Sequence, residues 1–293
     1  MRRFLWFLAC YVFATAGLFA QVKVQLSLNQ EQYLPGERLS VTVRITNLSG
    51  QPIKLGQDQD WLKFAIEATS GFIVTKVGDP PVVGEFTLES SQVATKRVDL
   101  APCYDLTTTG RYRLTATVNI PQWSQTLNSP TVSFDIINGS VLWQQKFGVP
   151  HSSVGADGPP EVRTYMLQQA NYLKQVQLYV RVSDASGTST IRVFPIGPMV
   201  SFSKPETQLD AESNLHILNQ TGARAFIYCV VNPDGYLQVR QTYEYTTTRP
   251  VLALNALGKI GVHGGVRRVT AQDLPPARFS DPKPETKTAE PVK

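Results

Sequence analysis

The chain has 293 residues, 42% of them hydrophobic, and carries 28 Lys and Arg against 23 Asp and Glu for a formal net charge of +5. That length and apolar content suffice for a sizeable core, and three cysteines are too few for a disulfide scaffold. Beyond the leader the basic residues are scattered, with Lys96-Arg97 and Arg267-Arg268 the adjacent pairs, so no basic stripe marks a nucleic-acid partner.

Met1-Arg2-Arg3 precedes an almost wholly apolar run over residues 4–13, followed by the small residues Ala14, Ala16, Gly17 and Ala20. This is the layout of a secretory signal peptide. It predicts a leader over residues 1–20 and an exported protein: periplasmic, cell-surface or secreted. Ala14-Thr15-Ala16 fits a small-x-small cleavage site as well as Ala20 does. Cleavage at Ala20 opens the mature chain on the strand-like Val22-Lys23-Val24. The 17 residues of 4–20 lie at the lower edge of a bilayer span, so membrane contact is expected through this segment only. Removing Arg2 and Arg3 lowers the basic count from 28 to 26 against 23 acids, leaving +3. Cys10 leaves with the leader. Cys103 and Cys229 then read as two separate thiols, Cys229 buried in the apolar run Ala225–Val231.

From residue 21 to 137 apolar and polar residues alternate. Val22, Val24, Leu26 and Leu28 form one face; Leu39, Val41, Val43 and Ile45 another. Leu62, Phe64 and Ile66, then Tyr112 to Ile120, then Val132, Phe134 and Ile136 repeat the period of two. Turn signals separate them at Pro35-Gly36, 47–52 and Gly78-Asp79-Pro80-Pro81. Such alternation gives antiparallel strands with one buried face, and the spacing predicts an immunoglobulin-like β-sandwich.

Two motifs stand out: Tyr33-Leu34-Pro35-Gly36-Glu37 ahead of a strand ending at Asn47, and Gly110-Arg111-Tyr112-Arg113-Leu114. The pairing resembles macroglobulin-type and related bacterial immunoglobulin-like domains. The resemblance covers residues 21–137 and implies a fold rather than an activity. Tyr112 is placed to bury its ring and return its hydroxyl to a nearby carbonyl, as in a tyrosine corner.

Residues 138–272 predict a second β-rich domain, a sandwich or open barrel. Gly-containing turns at Asp184-Ala185-Ser186-Gly187, Thr221-Gly222 and Pro233-Asp234-Gly235 mark hairpins. Residues 165–174, rich in Met, Leu, Gln and Ala, suit helix and strand equally. Residues 273–293 hold five prolines among charged and small polar residues, composition for a disordered tail.

The chemistry-bearing residues are sparse. His151, His216 and His263 lie too far apart in sequence for a zinc site, and His216 reads as a sheet-surface residue. Asp58-Gln59-Asp60 and Asp157-Gly158 fall short of a calcium loop. Asp184, Asp210 and Asp234 sit in turns, where they cap backbone groups. His263-Gly264-Gly265 lacks the nucleophile elbow that an esterase needs. No catalytic residue, metal ligand or cofactor is therefore expected. Loop aromatics supply the binding candidates Trp61, Trp123, Trp143, Tyr243 and Tyr245. Sequons occur at Asn47, Asn138 and Asn219. The expected function is a non-enzymatic, exported protein that binds another extracytoplasmic protein or a surface glycan. A polysaccharide-active enzyme or accessory carbohydrate-binding protein is the alternative, and a protease inhibitor the third reading.

Overall fold

Alternation at residue 22 begins a run of strands that continues to residue 268. The structure, a computed structural model, describes residues 22–149, 161–172, 175–201, 203–256 and 258–275. The predicted leader, His151, Asp157 and the tail from residue 276 lie outside the described residues. The chain divides into two compact units, 1–137 and 138–293.

The first unit contains β1 (Val22–Leu28), β2 (Gln32–Tyr33), β3 (Ser40–Asn47), β4 (Ile53–Leu55), β5 (Leu62–Ala68), β6 (Phe86–Leu88), β7 (Val93–Asp99), β8 (Gly110–Ile120), β9 (Gln125–Asn128) and β10 (Val132–Ile136). One sheet has the order β1-β3-β7; the other runs β2-β10-β8-β5, with β9 also on β8. Their inward residues, such as Val41, Val43 and Ile45 from one sheet and Tyr112, Leu114 and Ala116 from the other, share one core. This is the immunoglobulin-like sandwich.

Both sequence motifs are local braces of this sandwich. At Pro35-Gly36 the Glu37 amide donates to the Leu34 carbonyl at 3.0 Å, and Gly36 takes φ 78°, the pattern of a type II turn. The Glu37 carboxylate closes it by accepting the Leu34 amide at 2.8 Å. Asn47, fully buried, donates to the Gln51 and Leu88 carbonyls and accepts from the Ser49 amide and hydroxyl. The Tyr112 hydroxyl donates to the Thr108 carbonyl, while its ring stacks on Phe134 at 5.3 Å. That is the tyrosine corner at the start of β8.

The second unit contains β11 (Ser140–Gly148), β12 (Val162–Tyr172), β13 (Gln175–Asp184), β14 (Thr190–Met199), β15 (Glu206–Leu209), β16 (Leu215–Gln220), β17 (Ala225–Val231), β18 (Leu237–Glu244), β19 (Val251–Leu254), β20 (Ile260–His263) and β21 (Val266–Arg268). A four-stranded meander, β11-β12-β13-β14, faces a five-stranded sheet, β15-β16-β17-β18-β21. Tyr165, Leu167, Val180 and Val182 meet Leu215, Ile217, Cys229 and Val231 between them. The hairpin β19-β20 supplies Leu252, Ile260 and Val262 to a second cluster with Leu218, Phe226, Tyr228 and Val230. Strand β17 is apolar on both sides because it lies between these two clusters.

Two expectations resolve or change here. Residues 165–172, open between helix and strand, form the inner strand β12; pairing with β11 and β13 outweighs their helical composition. Asp273 and Leu274, expected in the tail, belong to the fold: Leu274 exchanges backbone hydrogen bonds with Arg240 at 2.7 and 2.9 Å, and Asp273 is buried against Arg267.

Candidate functional site

Among the described residues strand β7 ends its sheet and pairs with β3 alone, in register from Ser40 opposite Asp99 to Thr46 opposite Val93. The Leu100 amide donates to the Leu39 carbonyl and the Asn47 amide to the Gln92 carbonyl, both at 3.0 Å. In an antiparallel ladder the bonded pairs recur every second residue. Ala94, Lys96 and Val98 therefore direct their backbone groups to β3, and Val93, Thr95 and Arg97 direct theirs outward.

Strand β6 is held away from this open edge. It pairs with β4 instead, and the Gly84 amide extends that pairing by donating to the Gly56 carbonyl at 3.0 Å. Gly56 takes φ 83°, and a Cβ there would lie 2.0 Å from the Gly84 oxygen, so any side chain would push the two segments apart. The indole Nε1 of Trp61 donates to the Val82 carbonyl at 3.1 Å, and the Gln59 amide to the Pro80 carbonyl at 2.6 Å. These bonds fix residues 80–84 as a wall.

Between wall and edge lies a pocket of about 190 Å³ lined by Trp61, Phe86, Ile45 and Ala94, with Gly84, Thr95 and Lys96 completing it. Trp61 and Phe86 meet edge to face at 5.7 Å. Its side chains are apolar except for Lys96, and the strand passes it at Thr95, whose side chain belongs to the exposed face of β7. An open ladder beside an apolar pocket accepts an extended chain: main-chain bonds along the edge, one side chain in the pocket.

The predicted binding aromatics divide between the two units, Trp61 and Trp123 in the first, Trp143, Tyr243 and Tyr245 in the second. Trp61 is 2% exposed, which corrects its placement as a loop-tip contact; its 3₁₀ turn, Gln59–Trp61, turns the ring inward. Trp123 and Trp143 are half-buried, each packed on the core of its own unit. Tyr243 is half-buried on the hairpin side of the five-stranded sheet and donates to Gln241 at 3.0 Å. Tyr245 is exposed. So is Tyr236, absent from that set, whose ring carries the Arg192 guanidinium at 4.0 Å.

His216 is also corrected: it is buried, not on a sheet surface. Its Nε2 lies 3.0 Å from the Asp210 carboxylate and its Nδ1 2.7 Å from the Tyr228 hydroxyl. A carboxylate only accepts, so Nε2–H donates to it, and the Tyr228 hydroxyl is the hydrogen-bond partner of Nδ1. Burial pushes the Asp210 pKa up, but hydrogen bonds from Asn214 and His216 outweigh it and the net shift is downward. Burial pushes Tyr228 up to about 12, so its phenol stays neutral. The chain of bonds braces the turn between β15 and β16 to β17.

Of the other acids singled out in the sequence, Asp58 and Asp184 cap turn amides as expected, whereas Asp234 pairs with the Arg163 side chain instead of a backbone group. Asp58 caps the Asp60 amide, and Asp60 pairs with Lys63. Asp184 accepts from Ser186, Thr188 and Ser189 of its own turn, which lowers its pKa. Asp234 and Glu161 flank Arg163. His263 is an exposed end of β20 before Gly264 and Gly265, which turn at φ 74° and 64°. Among the described residues no three His, Cys, Asp or Glu side chains come together as a ligand set. Both Cys103 and Cys229 are free and buried.

Among the described residues no helix is long and apolar enough to cross a membrane. No family model matches the chain, and no curated protein matches it. Among solved structures it is similar to the sporulation control protein Spo0M from Bacillus subtilis, with 10% identity, 59% of this chain and 83% of that chain covered, and a TM-score of 0.32. So slight a likeness carries no argument.

Proposed function

We propose that this is a non-enzymatic protein that works outside the cytoplasm and binds another protein by accepting an extended segment along β7. The single observation that carries this reading is the outward ladder of Val93, Thr95 and Arg97 beside the Trp61–Phe86 pocket. The apolar leader at residues 1–20 supports the compartment. The acids support binding over polysaccharide cleavage. Asp184 and Asp210 in the second unit are taken up by bonds within their own turns, and Glu161 and Asp234 by Arg163, whereas a glycosidase needs two carboxyl groups facing one sugar.

Thr95→Pro tests the reading. It removes an outward amide while leaving the bonds to β3 intact, a place where an edge strand accepts proline. Wild type and this variant serve as paired baits in extracts of the exported fraction. A partner retained by wild type and lost from the variant supports the reading; identical sets on both baits contradict it.

A further inference from the structure

We infer that the segment taken up by β7 alternates apolar and acidic residues, an inference that rests on the edge-binding reading above. The two faces of the edge set the pattern. A strand added to β7 sends alternate side chains to opposite faces. On the inner face it meets Ala94 and the pocket of Trp61, Phe86 and Ile45, whose volume of about 190 Å³ suits one aliphatic or aromatic side chain rather than a whole small-molecule ligand. On the outer face it runs beside Thr95 and Arg97, with Arg44 opposite Thr95 on β3. Arg44 and Arg97 are exposed, and among the described residues neither they nor Lys96 is held in an ion pair. Lys96 is half-buried, shares the inner face of β7 with Ala94 and Val98, and lines the pocket. The far wall carries Glu85, already bonded to Gln57 at 3.2 Å, so the cations lie on the β7 side, where the added strand runs. Carboxylates there complete cross-strand pairs left open.

The same charges decide against a second copy of the chain. Two β7 edges would bring Lys96 and Arg97 of both copies onto one short ladder, and facing like charges are destabilising. An inward-pointing lysine is a device by which edge strands avoid pairing with themselves. An acidic segment turns that device into a preference.

The probe is a capped seven-residue peptide, Glu-Val-Glu-Leu-Glu-Val-Glu, titrated into the full chain by calorimetry or NMR. Controls replace every Glu by Gln, or Leu and Val by Ser. The acidic peptide is expected to bind, at least about tenfold more tightly than the Gln peptide at low salt. The Ser peptide and Thr95→Pro are expected to abolish binding, with far-ultraviolet circular dichroism showing the variant folded. Lys96→Glu with Arg97→Glu is expected to reverse the preference toward a Lys-Val alternating peptide. Equal binding of the Glu and Gln peptides, with loss in Thr95→Pro, overturns the acidic preference and leaves edge binding standing. Undiminished binding to Thr95→Pro overturns edge binding itself, and no binding of any peptide at millimolar concentration overturns both.

Discussion

The indole nitrogen of Trp61 donates to the carbonyl of Val82 at 3.1 Å, tying a core aromatic to the loop that forms one wall of the β7 pocket. Trp61→Phe keeps a ring in the core and removes this bond. The buried Val82 carbonyl then lacks its partner, which costs about 1–3 kcal/mol. A lowered urea midpoint is expected together with weaker peptide binding, since Val82 precedes Gly84 in the wall. Unchanged stability would show that residues 80–84 are held by other contacts.

Asp210, His216 and Tyr228 form a second connected unit. Tyr228→Phe leaves Nδ1 of His216 buried without its hydrogen-bond partner, a loss of about 1–3 kcal/mol. The pH dependence follows from Asp210. Its folded pKa is lowered, so the stabilisation is present above the ordinary aspartate value and is lost as pH falls through the lowered one. Wild type is therefore more stable than Asp210→Asn at neutral pH, and the gap closes below about pH 4. Urea midpoints of both proteins from neutral to acid pH check this; a gap independent of pH contradicts it.

Glu37 has the opposite sign. Burial raises its pKa, against hydrogen bonds from Leu34 and Gln30 that lower it. The folded state then holds its proton more tightly than the unfolded chain. That contribution is complete below the ordinary glutamate value and is lost as pH rises through the raised one. Glu37→Gln keeps an acceptor for the Leu34 amide and removes the charge. Its stability relative to wild type is expected to rise between about pH 4 and pH 7. A constant difference across that range would contradict the assignment.

The three sequons differ in access. Asn47 is fully buried with its amide donating to two carbonyls, and Asn219 is 2% exposed with its amide on Pro198. Asn138 is exposed. Secreted from a glycosylating host, the folded protein is expected to carry glycan at Asn138 and at neither of the others. Peptide mapping reads the occupancy; glycan at Asn47 or Asn219 contradicts the burial.

The strands that face a core on one side, β3 and β8 above all, announce themselves by alternation, and Tyr112 by its place after Gly110. The candidate site does not. Strand β7 buries only Val98 fully, because an edge strand with a pocket on one face and water on the other has no apolar period to read. Trp61 sits in a short turn, where local sequence says loop and only the packed wall says buried. His216 alternates like a surface residue because the hairpin β19-β20, which covers that face of the sheet, arrives more than 30 residues later.

The most direct test of the account is amide hydrogen exchange across β7, with and without the alternating Glu–Val–Leu peptide. Edge binding predicts that the outward amides of Val93, Thr95 and Arg97 gain protection, while those of Ala94, Lys96 and Val98, already bonded to β3, change little. Binding of the peptide with no added protection at Thr95 and Arg97 would contradict it.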